Sequence, residues 1–148
     1  MKYSYGFAQS TAADLALMYR YDEDTDSLTM KPAREFCATI ASDPRVVAKY
    51  GYRMPAFAIT RNQTLGAATQ QDPLTIFLFK GRATKPVLIH EMAHVYDDRD
   101  WDVVDAHDET FCNRFLELVY WFLGWEEVVL ISEYYDKFGV AHDIPTDI

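Results

Sequence analysis

Cysteine is scarce in this chain. Cys37 and Cys112 are the only two, and they form no C-x-x-C pair. That excludes a disulfide framework and leaves two reduced, buried thiols as the expectation. Positive charge is also short: 14 Lys and Arg stand against 23 Asp and Glu, a formal net charge of -9. Such a surface repels phosphate backbones, so nucleic acid is not an expected partner. No apolar run approaches the roughly 20 residues that span a bilayer. Positions 1–20 carry polar residues throughout, with no uninterrupted apolar segment of the signal-peptide kind. A soluble cytoplasmic protein without a membrane partner is therefore expected. Repeats, low-complexity tracts and long Gly/Ser/Pro linkers are missing too, which points to one domain over 1–148. Against these absences stands a composition 49% hydrophobic and 15% aromatic, enough for a real core.

Short elements can be placed along the chain. Positions 1–11 read as irregular and 12–19 as a short apolar helix. An acidic cluster follows at Asp22, Glu23, Asp24 and Asp26. It lacks the glycine and the distal glutamate of an EF-hand loop and reads as a solvated turn. Positions 32–41 suit a helix with Pro32 in its first turn and Phe36, Cys37 and Ile40 on one face. Asp43-Pro44 reads as an N-cap with proline behind it, starting a short helix that Gly51 ends. Extended structure is expected over 54–60, 65–69 and 74–79, the last closed by Gly81. Thr84 and Pro86 mark the start of a helix through Val95. An acidic loop over 97–105 leads to a helix over 108–123, ended by Gly124. A final helix over 126–138 is ended by Gly139, with a loose tail beyond. Small helices, then strands, then three helices predict an α+β fold: a short antiparallel or mixed sheet packed on helices.

The chemistry is concentrated in His90-Glu91-Met92-Ala93-His94. On a helix, positions i and i+4 share a face, so both imidazoles can point at one cation. Zinc accepts such nitrogens at 2.0–2.1 Å, and Glu91 can reach a water activated there as general base. A chain of this composition is expected to contain the pattern by chance only about 0.006 times, so two unrelated surface histidines are a poor explanation. A catalytic zinc takes a third protein ligand. His107, thirteen residues after His94 at the entry to the next helix, is the first choice. Asp97, Asp98, Asp105, Asp108 and Glu109 are the alternatives.

With these residues together, the chain resembles zincin metallopeptidases, most closely the small SprT-like group that includes short phage-encoded members. The likeness rests on His90-Glu91-Met92-Ala93-His94 and on His107-Asp108-Glu109-Thr110-Phe111, and it covers about 54–123. It implies a small zincin-like α+β domain, zinc ligands at His90, His94 and His107, a catalytic Glu91, and a peptide or protein as substrate. For a phage-encoded member the location would be the host cytoplasm. Two departures stand out. Asp108 occupies the place of the family's usual glycine, and no four-cysteine zinc ribbon follows. The DNA-linked role of some relatives is therefore not carried over.

Other residues have lesser claims. The small side chains of Gly66, Ala67, Ala68 and Thr69 would let a substrate backbone approach an edge strand. Asp97, Asp98, Asp100, Asp102 and Asp105 are candidates for bonding the far ring nitrogen of a ligand histidine. Tyr96 is an oxyanion donor or, more simply, a core residue, and His142 is not expected to be a ligand. The rival to a peptidase is a zincin-fold module that binds zinc and a partner without turnover, with Trp101, Trp121 and Trp125 at its interface. A hydrolase of non-peptide amides or esters is a third reading.

Overall fold

The computed structural model describes residues 21, 25–61 and 67–145. The helix expected over 12–19, Asp22 to Asp24 of the acidic cluster, and Gly66 lie outside them. The architecture is α+β, with five helices among the described residues. The chain divides into two compact units, one over Tyr21–Asp98 and a second containing Arg99–Ile148.

In the first unit, β1 (Leu28–Thr29) leads directly into helix α1 (Met30–Ser42). The helix begins two residues earlier than Pro32 suggested. Proline is tolerated in a first turn because its missing N–H would have had no intrahelical partner there. Ala33, Cys37, Ile40 and Ala41 form the buried stripe. Helix α2 (Pro44–Tyr50) follows at once, with Asp43 as N-cap and Gly51, at φ 81°, as C-cap. The Asp43 carboxylate accepts the Arg45 backbone N–H at 2.8 Å and the Arg45 guanidinium at 3.0 and 2.9 Å.

That guanidinium, ahead of the opposing effect of burial, holds the Asp43 carboxyl below the ordinary carboxylate range. Because the folded pKa is depressed, the stabilisation is complete above the unfolded value near 3.9 and is lost as pH falls through the folded one. Asp43→Ala is expected to cost about 1 kcal/mol at pH 7 by urea unfolding, and the difference from wild type should vanish in strong acid.

Strands β2 (Ala56–Thr60), β3 (Ala67–Gln70) and β4 (Thr75–Phe79) form a mixed sheet in the order β2-β4-β3. β4 is central, parallel to β2 with Ala56 opposite Thr75, and antiparallel to β3 with Thr69 opposite Ile76. Among the described residues β3 is thus an edge strand. The chain leaves β4 through Lys80 and Gly81, both at positive φ. A Cβ at Gly81 would also come within 3.2 Å of the Ile59 side chain. β5 (Arg82–Ala83) then pairs with β1. Helix α3 (Lys85–Val95) follows, and nine of its eleven residues are buried. A helix buried nearly all round belongs inside a core, and α3 packs against both α1 and β3. Thr84 occupies the N-cap position, but its hydroxyl caps nothing and has no hydrogen-bond partner among the described residues.

The second unit holds α4 (Glu109–Phe122) and α5 (Trp125–Phe138), joined by two residues into a helical hairpin. Phe111, Phe115 and Leu118 of α4 and Val128, Ile131 and Tyr135 of α5 are fully buried at helical spacing. Gly139, in the left-handed conformation, ends α5. The segment after it is fastened rather than loose. The His142 ring sits between the Val140 carbonyl at 2.8 Å and the Ser132 hydroxyl at 2.9 Å, and Asn113 accepts the Asp143 N–H at 2.7 Å. A carbonyl can only accept, so in neutral His142 Nδ1 carries the proton and Nε2 accepts from Ser132. No helix among the described residues is long and apolar enough to cross a membrane.

Candidate metal centre

Helix α3 presents His90 and His94 one turn apart, and their Nε2 atoms lie 3.3 Å from each other. Two nitrogens bound at 2.0–2.1 Å to one tetrahedral ion stand about 3.3–3.4 Å apart, so the pair already has the spacing of two ligands. Both rings are largely covered, His94 more than His90. Little reordering would be needed to hold an ion, because a buried helix fixes both side chains at their roots.

Glu91 is 6% exposed, unusual for a carboxylate. Its environment is specific. The Thr69 hydroxyl on β3 donates to Oε1 at 2.8 Å, and Oε2 lies 4.0 Å from His90 Nε2. One oxygen is thus held by the sheet and the other faces the histidine pair. The nearby Cys37 thiol is pushed up to about 12, by burial first and by the charge of Glu91 second. A thiol so far from ionising is a poor nucleophile and a poor ligand at neutral pH. Neither Cys37 nor Cys112 forms a disulfide among the described residues, and both are buried.

His107 stands at the entry to α4, where three contacts set its position. Its backbone N–H donates to the Asp105 carboxylate at 2.9 Å. Its ring packs edge-to-face with that of Phe111, with centroids 4.8 Å apart. Its neighbour Asp108 caps α4, accepting the Phe111 N–H at 3.1 Å, and also takes both terminal nitrogens of Arg99 at 2.6 and 3.1 Å. Burial alone would raise the Asp108 carboxyl, but Arg99 and the helix N–H groups outweigh it and hold it low. Asp108 therefore ties down the segment that carries His107.

One donor atom from each of His90, His94 and His107 lies within 4.8 Å of the others, a group that can hold a metal ion. None of the carboxylate alternatives for the third position joins such a group among the described residues. Asp98, Asp100 and Asp102 are exposed, Asp105 serves the His107 backbone, and Asp97 is buried at 2% exposure just after α3. Tyr96 is a core residue, stacked on Tyr50 at 5.5 Å, and burial raises its phenol well above the usual value. Thr69 was expected only as a small residue on a substrate edge. Its hydrogen bond to Glu91 joins positions 22 apart in sequence, and no local pattern announces it. No family model matches the chain, and comparison with curated proteins and with solved structures finds no match.

Proposed function

We propose that this protein is a zinc-dependent metallopeptidase of the zincin kind, similar to the SprT-like group. His90, His94 and His107 hold the ion, and Glu91 is the general base. The observation that carries this reading is the convergence of three histidine nitrogens beside a buried carboxylate that does not belong to the ligand set. A purely structural zinc site has four protein ligands and no use for Glu91, whereas three ligands leave one position for substrate or water. Three imidazoles suit zinc among the common cations, whereas magnesium and calcium prefer oxygen donors. Zinc held there supplies a Lewis acid that polarises a carbonyl and lowers the pKa of water toward 7.

The chain's own groups do the rest. Glu91 Oε2, on the histidine side, takes the proton of the attacking water and returns it to the departing amine. The edge strand β3, packed on α3, offers backbone groups to which an extended peptide or protein substrate can add as a further strand. Two buried cysteines outside any disulfide fit a reducing, cytoplasmic setting.

The test is hydrolysis of fluorescein-labelled casein by the zinc-loaded protein at neutral pH. Cleavage should stop when EDTA removes the metal and return on adding zinc. Stoichiometric zinc with no cleavage of casein or of a mixed peptide library would overturn the peptidase reading in favour of a silent binding module.

A further inference from the structure

We propose that Thr69 is a positioning residue for Glu91, holding one carboxylate oxygen so that the other is committed to the histidine pair; this rests on the peptidase reading above. Glu91 has three side-chain torsions, and a carboxylate offers two oxygens that are chemically alike. In a water-exposed site both oxygens would exchange roles freely. Here the side chain is buried, and the Thr69 hydroxyl donates to Oε1 at 2.8 Å, the usual length of a well-formed O–H···O hydrogen bond. Oε2 is left on the side of His90 Nε2, 4.0 Å away. That distance is too long for a direct hydrogen bond.

The anchor is stiff. Threonine is β-branched and restricted at χ1, and its backbone is set by the antiparallel pairing of Thr69 with Ile76. The same Oγ1 lies 3.3 Å from the Glu91 backbone carbonyl, so the hydroxyl sits against the helix turn that carries the base. Its single proton goes to the nearer, charged acceptor. Thr69 also belongs to the edge strand offered to substrate, so one short strand would position the peptide and the base together. A small misplacement of a reacting group is worth as much as about 100-fold in rate, which sets the scale of the effect.

The experiment compares zinc-loaded wild type, Thr69→Val, Thr69→Ser and Thr69→Ala. Valine keeps the shape and loses the donor, serine keeps the donor, and alanine replaces valine if the latter does not fold. Crystal structures should show the Glu91 carboxylate in a new or split orientation in Thr69→Val, with zinc content and both α3 histidines unchanged. On casein, kcat should fall about 10- to 100-fold with KM nearly constant, and serine should restore most of it. An unmoved Glu91 carboxylate, an undiminished kcat, or a serine variant as impaired as valine would overturn the proposal. If wild type holds zinc yet cleaves nothing, the peptidase reading falls, and the Glu91 orientation alone decides the role of Thr69.

Discussion

Glu91→Gln is expected to bind as much zinc as wild type and to hydrolyse casein about 100- to 10,000-fold more slowly. The amide matches the carboxylate in shape. Its carbonyl oxygen can still accept from Thr69, so the contact between β3 and α3 survives. What is lost is the ability to take a proton from water, since an amide is not a base at neutral pH. The change is confined to a step made in the transition state, so kcat should fall while KM changes little. Zinc content, measured by atomic emission after dialysis, separates this outcome from loss of the site. A glutamine variant with near wild-type turnover would remove Glu91 from the mechanism.

His94→Ala has the second large effect, on the metal itself. His94 is 6% exposed, and its Nε2 approaches His90 Nε2 at 3.3 Å, so removing it leaves the α3 pair broken. Zinc should fall from about one ion per chain to a trace under dialysis against a weak competitor. Metal that binds only the folded state also stabilises it. At a hundredfold excess over Kd the contribution is about 2.7 kcal/mol. For a chain of this size that amounts to roughly 5–10 °C in Tm. Wild type should therefore lose several degrees on adding EDTA, whereas His94→Ala should show no EDTA-dependent shift. The variant is also expected to melt lower than wild type without metal, because truncating a buried side chain leaves a cavity. An EDTA shift of wild-type size in His94→Ala would mean that the ion lies elsewhere.

Which parts of this were readable beforehand follows from range in sequence. His90, Glu91 and His94 were legible because helical periodicity alone brings i and i+4 together. The Asp43-Pro44 start of α2 and the Gly51, Gly81, Gly124 and Gly139 boundaries were legible because each is a local backbone requirement. Strand existence was legible for β2, β3 and β4, but pairing was not. The order β2-β4-β3 makes β4 parallel to one neighbour and antiparallel to the other, and nothing in alternation of side chains encodes that choice. The two-residue pair β1 and β5 is too short to leave a pattern. Thr84 looked like a capping hydroxyl, yet its side chain is buried without a cap bond, which local sequence does not announce. Thr69 and Arg99 act through partners on other elements or across a loop, so their roles appear only once the chain is folded. Asp108 was read as a departure from a family pattern, and only its two partners show what it does.

The central claim is three histidines on one zinc, and the direct measurement is a crystal structure of the zinc-loaded protein with anomalous data on both sides of the zinc absorption edge. The expected result is a single strong peak with Nε2 of His90 and of His94 and one ring nitrogen of His107 at about 2.0–2.1 Å, and with Glu91 outside the ligand set. A peak away from α3, a fourth protein ligand closing the sphere, or His107 standing off a metal held by the other two would contradict it.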